Sequence, residues 1–251
     1  MTGGTAFTWL AAIWAGLAVP TLAACLTRWD PVARTGGRGV GPRIDSRWGW
    51  FLMEIPALAT FPAIYLASSH QHPVGNLVVI MWIAHYGHRG FLWPWLVPRR
   101  DRTMPLIFCG SGILFNLFNG VLWGWFMGYL AHYPPGWLGR PLVVAGLVLA
   151  IGGAALNVWC DYRLSRLRKA GGGAYVVPSG GPFDLVSCPH LLGEIVEWIG
   201  FALLTWSLPG LAFAMWTVAN LVPRALWRHA WYQNTFADYP WRRRALLPAL
   251  L

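Results

Sequence analysis

Seven apolar runs, each about long enough to cross a bilayer, constrain this chain more than any other feature. They fall at about 6–26, 49–68, 75–97, 105–130, 141–162, 189–207 and 210–228. A helix needs roughly 20 apolar residues to span the hydrocarbon core, and lipid admits only helices or closed barrels because every backbone polar group must be satisfied internally. Runs this long exceed a membrane strand. The predicted fold class is therefore all-α: a multi-pass integral membrane protein of seven transmembrane helices. No solenoid repeat or low-complexity linker divides the chain, so residues 1–251 read as a single domain. Only Ser207-Leu208-Pro209-Gly210 separates the last two runs, which predicts a turn and an antiparallel hairpin.

Composition agrees. Hydrophobic residues make up 56% and charged residues 11%, against roughly a quarter charged in a soluble chain. That excludes an ordinary soluble domain, a disordered tail and a secreted disulfide scaffold. The first run could be a signal sequence, and Leu22-Ala23-Ala24-Cys25 imitates a lipoprotein cleavage box. No positive charge precedes Arg28, however, and the run has spanning length, so it reads as a first transmembrane helix. Cys25, Cys109, Cys160 and Cys188 lack metal or redox spacing and read as free thiols.

A net charge of +10 would suggest nucleic acid in a polar protein. Here the basic residues sort into alternate loops. Arg28, Arg34, Arg38, Arg43 and Arg47 follow the first run, and Arg99, Arg100 and Arg102 the third. Arg163, Arg166, Arg168 and Lys169 follow the fifth, and Arg242, Arg243 and Arg244 lie in the tail. The opposite loops hold only Arg140. By the positive-inside rule the amino terminus faces out and the carboxyl terminus the cytoplasm. No nucleic-acid partner and no obligate protein partner is expected.

Ionisable groups inside a bilayer are costly, so each is a functional candidate. Glu54 lies in the second run, and a carboxyl kept neutral there can donate a hydrogen bond to a substrate oxygen. The third run holds His85-Tyr86-Gly87-His88-Arg89, four polar side chains in five residues. A metal at His85 and His88 lacks a third ligand, and no metal is expected. In the sixth run Pro189 suits a first helical turn, and His190, Glu194 and Glu197 then share one face. Before it lies a Gly-rich basic stretch, Arg168-Lys169 through Gly171-Gly172-Gly173 to Gly180-Gly181, which matches neither the P-loop nor the dinucleotide fingerprint.

Taken together these residues resemble the steroid 5α-reductase family, the 3-oxo-5α-steroid 4-dehydrogenases, in what reads as a bacterial member. The resemblance runs over about 157–251. It rests on Asn157-x-x-x-Asp161, Leu167-Arg168-Lys169, Gly172, Tyr175, Pro178, Gly180-Gly181-x-Phe183 and Val186-Ser187. It continues through Gly193-Glu194-x-x-Glu197-Trp198-x-Gly200, Thr205-Trp206-Ser207-Leu208-Pro209, Arg224-Ala225, Tyr232 and Phe236-x-Asp238-Tyr239-Pro240. Glu54-Ile55-Pro56 and His85-Tyr86-x-His88-Arg89-x-Phe91 extend it to the first half.

The resemblance implies NADPH as cofactor and a steroid, or another lipophilic enone entering from the bilayer, as substrate. Hydride would pass to C5 of a 3-oxo-Δ4-steroid. Glu54 and Tyr86 would be catalytic, holding the 3-keto oxygen. The cofactor would be bound by Arg102, Asn119, Asn157, Asp161, Arg168, Tyr175, His190, Glu194, Trp198, Arg224, Arg228, Tyr232 and Arg243. The substrate cavity would belong mainly to helices 1–4 and the cofactor site to helices 5–7, the cytoplasmic loops and the tail. Two positions depart from the animal enzymes: His190 stands where they carry Asn, and Arg228 where they carry His. The membrane would be the bacterial inner membrane, or the endoplasmic reticulum in a eukaryote.

Chemistry supports this reading independently. Reducing a conjugated enone develops negative charge on its oxygen, which a neutral carboxyl beside a phenol stabilises in a dry cavity. Side chains supply no hydride, so a cofactor must. Rival readings are a sterol or trans-2-enoyl-CoA reductase, a lipid-binding or transport protein, and a membrane methyltransferase using S-adenosylmethionine. The last is suggested by Arg228-His229-x-Trp231-Tyr232, which resembles the Arg-His-Pro-x-Tyr end of isoprenylcysteine methyltransferases with Ala230 in place of Pro.

Overall fold

The computed structural model describes residues 3–27, 41–96, 103–171 and 176–248. Arg28, Arg34, Arg38, Arg99, Arg100 and Arg102 of the basic loops, and Gly172 through Tyr175, lie outside them. Among the described residues the chain forms seven long helices: α1 (Gly3–Thr27), α2 (Ser46–Ala67), α3 (Pro73–Gly87), α4 (Leu106–Trp125), α5 (Pro141–Ala170), α6 (Pro189–Thr205) and α7 (Leu208–Thr235). Four stretches, Gly4–Thr27, Ser46–Ala67, Leu106–Leu130 and Pro141–Ala170, are long and apolar enough to cross a membrane. α3 and α6 are shorter, at 15 and 17 residues, and α7 carries Arg224 and Arg228 in its second half.

The chain divides into two compact units. One takes Thr5–Asp30 with Pro141–Leu251, hence α1 and α5–α7; the other takes Pro31–Arg140, hence α2–α4. α1 thus packs in the same compact unit as α5–α7. There Trp216 of α7 donates its indole N–H to the Trp14 carbonyl at 2.8 Å, and the two rings pack 4.6 Å apart.

In the second unit β1 (Arg43–Asp45) pairs antiparallel with β2 (Thr103–Pro105), Ile44 opposite Met104. This ribbon departs from the all-α expectation. Three-residue strands are too short to show an alternating pattern, and the partners lie some sixty residues apart. Asp45 then caps α2, its carboxylate accepting from the Arg47 N–H at 2.8 Å, which satisfies an otherwise orphaned donor.

α4 lies against α2 along a stripe of small residues four apart, Gly112, Gly120, Gly124 and Gly128, with Asn116 completing it. A Cβ at the first three would come within 2.6–2.8 Å of Met53, Thr60 and Ile64 respectively. Small residues let membrane helices approach closely where lipid offers no hydrophobic drive. Both α3 and α4 end in π-helical turns, His88–Leu92 and Phe126–Leu130, a geometry that recurs at functional sites.

In the first unit α5 and α6 make the most extensive helix contact among the described residues. Gly146 and Gly153 face Gly200 and Gly193 across it. A Cβ at Gly153 would lie 2.3 Å from the Glu197 N, and one at Gly193 2.6 Å from the Asn157 N. The reversal after α6 falls one residue earlier than the sequence suggested. Trp206 takes a left-handed φ of 41°, and Ser207 caps α7 by accepting from the Gly210 N–H at 3.2 Å. Leu208-Pro209-Gly210 are thus the first turn of α7, where proline, lacking an N–H, is at home.

Candidate functional site

In the α2–α4 unit Glu54 is buried at 8% exposure. Asn116, in the middle of the small-residue stripe, donates its amide to the Met53 carbonyl at 2.6 Å and to Glu54 Oε2 at 3.3 Å. The π-helical turn after α3 passes close by, since a Cβ on Gly90 would lie 3.1 Å from the Glu54 Cβ. Tyr86 stands four residues before Gly90 and is buried at 4% exposure. Its ring packs 4.7 Å from Trp82 and 5.1 Å from His85. Trp82 is fixed in turn by its indole N–H, which donates to the Ala57 carbonyl at 2.8 Å. The phenol is thus held in an aromatic cluster, since Trp82 packs on Phe61 and Phe61 on Trp123, while the Glu54 carboxyl is held by Asn116 beside Gly90. Asn119, 1% exposed, donates to its own helix at Phe115 O, 2.8 Å away. Arg102 lies outside the described residues.

The α1, α5–α7 unit holds the rest. Asn157 and Asp161 of α5 are each 2% exposed, and Glu194, Glu197 and Trp198 of α6 are buried. The close crossing at Gly153 and Gly193 lets Asn157 bridge the helices, donating to the His190 carbonyl at 2.8 Å and to Glu194 Oε2 at 3.4 Å. Asn157, His190 and Glu194 are therefore brought together. Trp198 packs 4.4 Å from Phe213 of α7, a helix-to-helix contact within the core of this unit. Among the described residues, no group of three or more His, Cys, Asp or Glu side chains could hold a metal ion.

A second set gathers where the tail returns beside the start of α6. Ser187 and Cys188 donate their N–H groups to the carbonyls of Arg244 and Ala245, at 2.7 and 3.0 Å. The Ser187 hydroxyl bonds His229 Nδ1 at 2.6 Å and the Tyr239 hydroxyl, and donates to the Arg244 carbonyl at 3.0 Å. Tyr239 stacks on Tyr232 at 5.5 Å, nearly parallel. Arg243, 4% exposed, lies 5.3 Å over the Tyr239 ring and donates from Nη1 to the Pro178 carbonyl at 2.8 Å. Its buried Nε makes no hydrogen bond among the described residues. Burial pushes the Tyr239 phenol above its ordinary value, while the Ser187 bond and the Arg243 charge oppose the shift.

The charges of Arg228 and Arg168 reach the Tyr232 hydroxyl, so these two, Tyr232 and Arg243 form one cationic, phenol-lined group. Arg224 is half-buried one turn before Arg228, and Tyr175 lies outside the described residues. Such a set, with donors in a sheltered place, suits phosphate groups. Ser187, Tyr239 and Asn116 were not singled out from the sequence as site residues. Asn116 had one usable signal, an amide inside an apolar run. Ser187 and Tyr239 fall in stretches that carry the resemblance, but the hub joins positions up to 57 residues apart and no local pattern shows that they meet.

Residues 102–251 match the sequence profile of the family described as 3-oxo-5-alpha-steroid 4-dehydrogenase. The Homo sapiens protein named 3-oxo-5-alpha-steroid 4-dehydrogenase 2 is 43% identical over 209 residues, covering 82% of this chain and 81% of its own length. Its Sus scrofa counterpart is 41% identical over the same coverage. The Rattus norvegicus 3-oxo-5-alpha-steroid 4-dehydrogenase 1 is 35% identical over 226 residues, 88% of this chain and 86% of its own.

Proposed function

Because this chain belongs to the 3-oxo-5-alpha-steroid 4-dehydrogenase family, and is thereby an oxidoreductase acting on CH–CH bonds, we propose that it reduces the Δ4 double bond of 3-oxo-Δ4-steroids with NADPH. The observation that carries this reading is the 43% identity, along most of both chains, to a relative named 3-oxo-5-alpha-steroid 4-dehydrogenase 2.

Glu54 and Tyr86 donate to the 3-keto oxygen. Asn116 holds one carboxyl oxygen of Glu54 and so orients the carboxyl that donates. As C5 gains hydride, charge moves to the oxygen as an enolate, and two donors in an apolar interior stabilise it far more than water would. The reaction closes when C4 takes a proton. NADPH, when bound, supplies the hydride. Arg168, Arg228 and Arg243, with Arg102, suit its phosphates, and the unspent Nε of Arg243 is a ready donor. Asn157, Glu194 and His190, on the tightest helix crossing, suit the amide end, with Asn119, Asp161, Tyr175, Trp198, Arg224 and Tyr232 completing the set. We extend the reading to seven spans, the amino terminus outside and the cofactor face cytoplasmic, with substrate entering from lipid.

The test is NADPH oxidation by purified protein on adding a 3-oxo-Δ4-steroid, with the product identified by mass spectrometry. One 5α-reduced 3-oxosteroid per NADPH consumed is expected. Oxidation by well-folded protein with a trans-2-enoyl-CoA but not with the steroid overturns the proposal.

A further inference from the structure

One feature of α5 takes no part in this chemistry. Asn157, Asp161 and Ser165 are buried, but the outer face of the same helix borders a hollow of about 520 Å³ lined by Ala155, Val158, Trp159, Tyr162, Arg163 and Arg166. The spacings of three and four make these one stripe. Its upper part is apolar and belongs to a helix long and apolar enough to cross a membrane. Trp159 and Tyr162 are exposed at 46% and 37%, the residue types that settle at a membrane–water boundary. Below them come Arg163 and Arg166, then Arg168 and Lys169 in the last turn.

The basic end is built rather than loose. Arg163 donates from Nε and Nη2 to the Ser179 carbonyl at 3.0 and 2.7 Å, and its guanidinium sits 5.8 Å from the Trp159 ring centre. The loop closes tightly over both. Gly180 and Gly181 take φ of +90° and +63°, and a Cβ on them would lie 2.5 Å from Arg163 Nη2 and 3.2 Å from the Trp159 ring. Those two bonds use two of the five guanidinium donors. The loop's acidic group, Asp184, accepts from the Gly180 N–H at 2.8 Å and so is committed within the loop.

We propose that this hollow seats an anionic phospholipid, its phosphate on Arg163 and Arg166 and an acyl chain along Ala155, Val158 and Trp159. A small soluble anion would leave the apolar wall bare. A zwitterionic headgroup would bring its own cation against an already cationic rim. An anionic lipid satisfies both halves, as basic residues at the membrane edge commonly do.

Native mass spectrometry of the full-length protein, titrated with phosphatidylglycerol and with phosphatidylcholine of the same acyl chains, tests this. Phosphatidylglycerol should bind at least about fivefold more tightly, a step on the scale of one basic residue at a membrane surface. Arg166→Ala, at an exposed position that disturbs no packing, should remove most of that preference; Arg166→Lys should keep it. Arg163→Gln should act like Arg166→Ala, and Trp159→Ala should weaken both lipids. Equal affinity for the two lipids in the wild type overturns the proposal, as does undiminished preference in Arg166→Ala. Displacement of the lipid by inorganic phosphate alone overturns it too, because the site would then hold an anion without a chain.

Discussion

Two adjacent glycines on α5 should respond to the same substitution with opposite sign. Gly153 faces α6, where an added Cβ would meet the Glu197 N at 2.3 Å, the Gly193 O at 2.5 Å and the Glu197 Cα at 2.8 Å. All three are backbone atoms, so no side chain can swing aside. To reach even the 3.0 Å limit that real Cβ atoms respect, the helices must part by about 0.7 Å. Overpacking of this kind costs about 1–3 kcal/mol, and three fixed neighbours put Gly153→Ala at the upper end. At roughly 2–4 °C per kcal/mol for a chain of this size, melting should fall by about 6–12 °C. Gly152 has no atom within 4 Å of its added Cβ. Gly152→Ala should hold or raise stability, since alanine is better than glycine in a helix interior by up to about 1 kcal/mol. Parting α5 from α6 also stretches the 2.8 Å bond from Asn157 to the His190 carbonyl, so NADPH affinity should fall in Gly153→Ala and not in Gly152→Ala. Thermal unfolding in detergent, followed by tryptophan fluorescence, with cofactor titration, reads both effects. If the two variants melt together, the close crossing is not what holds these helices.

Tyr86→Phe removes only a hydroxyl and should lower steroid reduction about 10²-fold with NADPH affinity nearly unchanged, as loss of an oxyanion donor does; Glu54→Gln, which keeps a donor, should retain more activity than Glu54→Ala. Arg168→Ala should weaken NADPH by about 2 kcal/mol, roughly 30-fold, with a smaller effect on NADH, and an equal loss for both cofactors would place Arg168 away from the 2′-phosphate. His72 caps α3 by accepting the Gly75 N–H on Nδ1 at 3.0 Å, so His72→Ala should cost about 1 kcal/mol. Burial, aided by the neighbouring His70 and His132, lowers the His72 pKa below the ordinary 6.5. The unfolded chain then binds more protons just below that value, so stability should drop as pH falls from 6.5 toward the depressed folded value. Melting curves across that range should show a smaller acid loss in His72→Ala.

Much of the candidate site was legible because intramembrane polar groups are rare. Glu54, the His85–Arg89 run that includes Tyr86, and Glu194 stand out against apolar neighbours because polar groups there are costly, whereas Asn157 came only with the family resemblance. Asn116 was legible on the same ground but has no chemistry of its own until Glu54 is seen beside it. The Ser187 hub could not be read as a unit: Ser187 precedes α6, His229 lies in α7 and Tyr239 in the tail. Although Ser187 and Tyr239 fall in stretches that carry the resemblance, nothing joins them until the tail returns to α6.

Long apolar runs determined the helices, because hydrocarbon leaves a backbone no other way to satisfy its hydrogen bonds than internally. The β1–β2 ribbon, the pairing of Gly153 with Gly193 and the return of Arg243 to Pro178 were decided only by tertiary structure. Each joins residues far apart in sequence, and a glycine carries no mark of which backbone will approach it. Local pattern settles which segments are helical, and close packing between them settles which side chains meet.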